Sequence, residues 1–273
     1  MTRKLILGLA VFVAAGPACA DWAINMPQGV SEMSIETWRL HMQVFWWCVA
    51  IGVVVFGAMG YTLFKHRKSR GQQAARFSHN SKLEVVWTAI PVVILLIMAV
   101  PAAETLVKLE YSQDPDLTVV VTGYQWRWHY AYPDKGVSFF SSIESESNAA
   151  RRKHSGIDPA TVENYLLEVD NPLVVPVGAK VRVLMTSKDV IHAWWVPALA
   201  IKKDAIPGFM NEAWFQAEAT GTYRGQCAEL CGVDHAYMPV VVEVVEPEQF
   251  ETWLAGMQEA GEPEPVASAG DKE

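Results

Sequence analysis

The sequence predicts a two-helix transmembrane hairpin followed by an all-β sandwich or barrel. Three observations carry that expectation: two apolar runs of membrane-spanning length, a basic link between them, and a series of short β-rich segments separated by turn residues over 117–245. At 273 residues the chain has room for one good-sized domain plus an anchor. With 51 % hydrophobic and 19 % charged residues, it lies far from the composition of a disordered chain. The formal charge of −8 argues against a nucleic-acid partner, which would require a basic footprint. That charge is unevenly divided: residues 1–104 carry 9 Lys/Arg against 5 Asp/Glu, and residues 105–273 carry 13 against 25. Two environments are implied.

The chain opens with Arg3 and Lys4, an apolar run from Leu5 to Ala15, and Ala18-Cys19-Ala20. This is the pattern of a secretory signal peptide over 1–20, cleaved before Asp21. The competing reading, a lipidated Cys19, is poorly served by Gly16 and Pro17. After an extracytoplasmic segment at 21–41, Met42 to Phe64 supplies 23 residues without a charge, against the ~20 that a spanning helix needs. A second uncharged run of 19, Val85 to Ala103, anchors a second spanning helix over 85–107. Trp46, Trp47, Tyr61 and Trp87 lie near the ends of these runs, as in interfacial aromatic belts. Pro91 and Pro101 are tolerable in a spanning helix that has neighbours. The link at 65–84 holds Lys65, Arg67, Lys68, Arg70, Arg76 and Lys82, so the positive-inside rule places it in the cytoplasm. Both termini and the acidic portion then lie outside.

That portion reads as strands at Leu117–Thr122, Val137–Ile143, Tyr165–Val169, Leu173–Val177, Val181–Thr186, His192–Pro197, Ala213–Ala217 and Val240–Val245. Together they predict an extracytoplasmic domain over 108–246. Pro247 opens a helix over 247–258, in which Phe250, Trp253, Leu254 and Met257 form one apolar stripe that caps the sandwich. Residues 259–273 form an acidic tail rich in Pro, Ala and Gly, of disordered composition. The stretch Ser145–Glu163, with its basic run Arg151-Arg152-Lys153-His154, reads as an exposed inserted loop.

The chemistry concentrates in Cys227-Ala-Glu-Leu-Cys231-Gly-Val-Asp-His235-Ala-Tyr-Met238, with His192 on an earlier strand. Three simpler readings compete. A disulfide is natural in an oxidising compartment, but it ignores His235 and Met238. Zinc takes two Cys and two His, but a thioether is a poor zinc ligand. A mononuclear blue-copper site needs one thiolate, and this chain offers two. Two thiolates, two imidazoles, a thioether and a loop carbonyl make six donors. If both sulfurs bridge two ions, each ion has two sulfurs, one imidazole and one weak axial donor. Soft donors select copper, and a sulfur-bridged pair can share one unpaired electron, which suits electron transfer rather than catalysis.

Three stretches together resemble subunit II of the haem–copper cytochrome c oxidases: Asp189-Val-Ile-His-Ala-Trp-Trp-Val-Pro-Ala, Lys203-Asp-Ala-Ile-Pro-Gly, and Gly225-Gln-Cys-Ala-Glu-Leu-Cys-Gly-Val-Asp-His-Ala-Tyr-Met-Pro. The similarity extends to the helical hairpin, the segment Gly123-Tyr-Gln-Trp-Arg-Trp and the capping helix. It implies a cupredoxin-like Greek-key sandwich holding a dinuclear CuA centre. His192, Cys227, Cys231, His235 and Met238 would be its side-chain ligands, and Glu229 would add its backbone carbonyl. The resemblance also implies a magnesium ion shared with subunit I through the Glu229 carboxylate. Trp126 corresponds to the residue at which the electron arrives from cytochrome c, whereas Trp128 reads as a core aromatic. Glu84 corresponds to a carboxylate at the mouth of a proton path, and equally to a plain interfacial anchor.

By the same resemblance, the chain would be a bacterial inner-membrane subunit. It would accept electrons from cytochrome c and pass them to subunit I, where oxygen is reduced to water with proton pumping; subunit III is a further neighbour. Asp189, Asp134, Glu144 and Glu146 are the acids expected to dock a cationic donor. Two departures stand out: Phe209 follows the Ile206-Pro-Gly208 turn where relatives place Arg, and Ala131 replaces an expected docking acid. Two rival classes remain. A quinol-oxidase version of the subunit would lack the copper ligands, and a periplasmic copper-delivery module would need neither the proline-bearing hairpin nor Trp126.

Overall fold

The structure, a computed structural model, describes residues 25–73 and 76–260. The expected leader at 1–20 and the tail beyond residue 260 lie outside the described residues. Two long helices come first, α1 (Glu32–Lys65) and α2 (Ser81–Glu110). At ~1.5 Å per residue each exceeds the ~30 Å of a bilayer core, and their apolar side chains are exposed along most of their length. Such surfaces require lipid or partner helices.

The excess length of α1 has a definite use. Ser31 caps the helix by accepting the Ser34 N–H at 3.1 Å, and Ser34 returns the bond to the Ser31 N–H at 2.8 Å. Both serines are buried, because Ser31 Oγ also donates to the Leu199 carbonyl at 3.0 Å and the Val30 N–H donates to Ala198. The segment expected as a separate stretch at 21–41 therefore starts the helix at residue 32 and ties it to the soluble domain. Asn80 caps α2 through the Leu83 N–H at 3.2 Å. At the other end of α2, Trp214 Nε1 donates to the Lys108 carbonyl at 3.1 Å and fixes the helix to the domain.

The domain is two five-stranded sheets packed face to face. Its strands are β1 (Leu117–Tyr124), β2 (Arg127–Tyr132), β3 (Val137–Ser141), β4 (Leu173–Pro176), β5 (Lys180–Ser187), β6 (His192–Val196), β7 (Ile201–Ala205), β8 (Asn211–Gln216), β9 (Gly221–Cys227) and β10 (Pro239–Val245). One sheet runs β3-β2-β1-β5-β8 and the other β4-β10-β9-β6-β7. Each contains one parallel pair, β1 with β5 and β4 with β10, so the chain crosses between sheets as in a cupredoxin-like sandwich. Period-two alternation turns Val119, Val121, Val181, Val183 and Met185 inward from one sheet. Leu173, Val175, Val240 and Val242 are buried from the other. A short helix, α3 (Ser145–Ala150), lies between β3 and β4. The last helix, α4 (Pro247–Ala260), buries Phe250 and Leu254 and sets Trp253 5.5 Å from Tyr132.

Three strands were not expected from the sequence, for separate reasons. β2 alternates half-exposed Arg127 and His129 with buried Trp128 and Tyr130, so its polar half hides the pattern. β7 is an edge strand carrying Lys202, Lys203 and Asp204, and β9 has glycines at 221 and 225. The expected strand at Tyr165–Val169 is absent; Val169 makes only a single bridge to Ile143. The stretch expected as an exposed loop begins instead with α3. The N-terminus of α3 is held by the Glu144 carboxylate, which accepts from Glu146 N at 2.6 Å and Ser147 N at 3.0 Å.

Candidate metal centre

β6 and β9 are antiparallel neighbours, with Trp194 opposite Cys227, and β9 continues through a loop into β10. That topology delivers His192 from the start of β6 to the far end of β9, where the cysteine loop folds back. The Cys227 and Cys231 sulfurs stand 3.9 Å apart as free thiols. Around them lie His192 Nδ1 at 3.9 Å and the Glu229 carbonyl at 3.4 Å from Cys227 Sγ. His235 Nδ1 and Met238 Sδ each lie 3.5 Å from Cys231 Sγ. His192, Cys227, Cys231 and Met238 are buried, and His235 is partly so. All six donor groups expected from the sequence converge on the sulfur pair.

The surroundings orient these donors. Asp189 Oδ1 accepts from His192 Nε2 at 2.9 Å, which leaves the Nδ1 lone pair facing Cys227. Asp189 itself is fixed by the Gln125 and Val190 N–H groups at 2.7 and 2.6 Å. Burial works to raise its carboxyl, but His192 and these N–H groups outweigh it and hold it below the usual range. Burial also works to raise the Cys227 thiol, and the adjacent His192 imidazole reverses that. Cys231, buried and beside the Cys227 charge, is pushed up to about 12. The two neighbouring thiols are thus shifted in opposite directions. On the opposite side Gly123 leaves room for the imidazole: a Cβ there would come within 2.7 Å of His192 Cδ2.

Trp126 is half-buried and donates from Nε1 to the Cys231 carbonyl at 3.2 Å, while Gln125 Nε2 reaches the same oxygen at 2.8 Å. Trp128 is fully buried, with its ring 5.8 Å from that of His192 and its Nε1 directed at the Met238 carbonyl. The Glu229 side chain points outward, while its carbonyl faces the sulfurs. Glu84 lies in the first turn of α2 and accepts from the Asn80 N–H at 3.4 Å, far along the hairpin from the sulfur pair. Asp134 and Glu146 are exposed, Glu144 caps α3, and Asp189 serves His192. The roles of Gln125, Gly123 and Asp189 around His192 were not expected, although all three stand in stretches that carry the resemblance, Gly123-Tyr-Gln-Trp and Asp189-Val-Ile-His.

The donor set itself is the test of fit for copper. Two thiol sulfurs within 4 Å of each other, a thioether, two imidazole nitrogens and one carbonyl form a soft, buried and closed environment. Hard cations do not select such donors, and zinc does not need the fifth and sixth. The residues fit a copper pair.

A buried soft-donor metal site beneath a surface-reaching tryptophan, on a β-sandwich anchored by a membrane hairpin, defines a membrane-bound electron-transfer protein. The family described as cytochrome C oxidase subunit II, periplasmic domain, matches residues 117–245, and its transmembrane domain matches residues 19–104. The chain belongs to the cytochrome c oxidase subunit II family, as a component of a haem–copper oxidase with a periplasmic domain. It is 37 % identical over 258 residues to a "Probable cytochrome c oxidase subunit 2" of Rickettsia felis, covering 92 % of this chain and 79 % of the relative. With cytochrome c oxidase subunit 2 of Cereibacter sphaeroides it shares 40 % over 213 residues, 75 % of this chain and 70 % of that one. The solved periplasmic domain of subunit II of cytochrome oxidase of Bradyrhizobium japonicum is 43 % identical, covering 55 % of this chain and 98 % of that one, with a TM-score of 0.47.

Proposed function

We propose that this chain accepts electrons from reduced cytochrome c near Trp126 and passes them, through a dinuclear copper centre held by His192, Cys227, Glu229 O, Cys231, His235 and Met238, to subunit I, where oxygen is reduced to water with proton pumping. The observation that carries the reading is the convergence of all six donors on one sulfur pair. When bound there, copper supplies reversible one-electron chemistry. The chain's own part is to hold and exclude. His192 and Met238 are sealed from water, Asp189 aims the His192 ring, and the closed donor set leaves no position for a substrate. Trp126, bonded to the Cys231 carbonyl, offers a short connection from the surface to the sulfurs.

The exposed carboxylate of Glu229 makes no hydrogen bond or ion pair among the described residues, and its carbonyl already faces the sulfurs. A magnesium ion shared with subunit I at that carboxylate rests on the family resemblance. The apolar faces of α1 and α2 fit subunit I and lipid, with subunit III as a further neighbour, in a bacterial inner membrane with both termini outside. Glu84 at the cytoplasmic end of α2 fits the mouth of a proton path. The test is electron paramagnetic resonance of the full chain, purified in detergent and loaded with copper. Seven hyperfine lines, from one electron shared by two copper nuclei, are the expected result. A four-line spectrum, or one copper per chain, would overturn the proposal.

A further inference from the structure

The basic run at 151–154 is not a uniform solvated patch, because its first residue is anchored on the metal loop. Arg151 follows α3, and its guanidinium is engaged from three directions. Nη1 and Nη2 donate to Asp234 Oδ1 and Oδ2 at 3.1 and 3.2 Å, Nε donates to Asn148 Oδ1 at 2.8 Å, and the plane lies 4.2 Å from the centre of the Tyr237 ring. The side chains of Arg151 and Asp234 are only 22 % and 30 % exposed. Asp234 immediately precedes His235 and Tyr237 immediately precedes Met238. One planar group therefore grips the neighbours of two donors without touching either. A lysine could supply the charge but neither the paired bonds nor the stacking.

We infer that Arg151 is a positioning residue for the metal centre: from outside the metal loop it holds the His235–Met238 turn in ligand-ready form. This role rests on the copper reading of the site. The turn needs such support, because its short helical stretch His235–Tyr237 has no side-chain cap, and the Asp234 carboxylate is directed to Arg151 instead. Residues that orient ligands in this way are commonly worth about 10-fold in metal affinity.

The experiment compares the full copper-loaded chain with Arg151→Ala, Arg151→Lys and Asp234→Asn, following copper loss to a chelator and the hyperfine spectrum. Metal-free thermal melting is recorded alongside. Copper loss about 10-fold faster in Arg151→Ala is expected, with altered hyperfine splitting and a nearly unchanged metal-free melting temperature. Arg151→Lys and Asp234→Asn should give the same changes in weaker form, and they carry the test if Arg151→Ala does not fold. Variants that match the parent in both copper loss and spectrum would overturn this inference alone. A parent chain that binds no copper pair would overturn the functional reading, and this inference with it.

Discussion

Asp189 Oδ1 lies 2.9 Å from His192 Nε2, and the histidine is fully buried while the aspartate is not. A carboxylate expected to meet a partner protein is thus engaged with a candidate metal ligand. Asp189→Asn should weaken copper binding about 10-fold in a competition titration, because the imidazole loses its anionic partner. Unaltered affinity combined with a shallower salt dependence of cytochrome c oxidation would return Asp189 to a docking role.

Gly123 lies close against the same ring. A methyl there would sit 2.7 Å from His192 Cδ2 and 3.0 Å from Cγ. Gly123→Ala should destabilise the domain by about 1–3 kcal/mol through overpacking and displace the imidazole. The readout is copper stoichiometry together with thermal melting. A variant that keeps two coppers and the parent melting temperature would show that β1 can yield.

Trp126 meets the loop through its Nε1 bond to the Cys231 carbonyl and packs against the buried cluster around the cysteines, but it supplies no donor atom to the sulfur pair. Trp126→Ala should therefore leave the hyperfine spectrum in place. Loss of a tryptophan at the centre of a contact costs about 2 kcal/mol or more, so kcat/KM for cytochrome c oxidation should fall ~30-fold or further. Turnover at the parent rate would remove Trp126 from the electron path.

Glu144 tests the difference between a capping acid and a docking acid. The Ser145 hydroxyl and the Ser147 and Glu146 N–H groups hold its carboxyl below the usual range. A lowered value in the folded chain means that the stabilisation is full above the ordinary carboxylate range and is lost as pH falls through the lowered value. Glu144→Ala should cost about 1 kcal/mol in urea unfolding at neutral pH, and the difference should shrink on acidification. An unchanged stability with slower cytochrome c oxidation at low salt would restore the docking role.

The most legible features were those written in local spacing. The apolar runs, the cysteine loop and the apolar stripe through Phe250 and Leu254 each lie within one continuous segment. What the sequence concealed depends on contacts between distant segments. β2 and β7 carry charge on their exposed positions, so alternation became visible only once their neighbours were known. Ser31 looks like any loop serine until Leu199 accepts its hydroxyl. Arg151 belongs to a basic run by composition and to the metal loop by geometry, 83 residues from its partner Asp234.

His192 reaches the sulfurs from a strand 35 residues upstream of Cys227, whereas the remaining donors lie within one short loop. A newly made polypeptide therefore offers an incomplete nest until β6 has paired with β9. On the copper reading of the site, the full donor set exists only once the sandwich has closed, which ties loading of the pair to the finished fold.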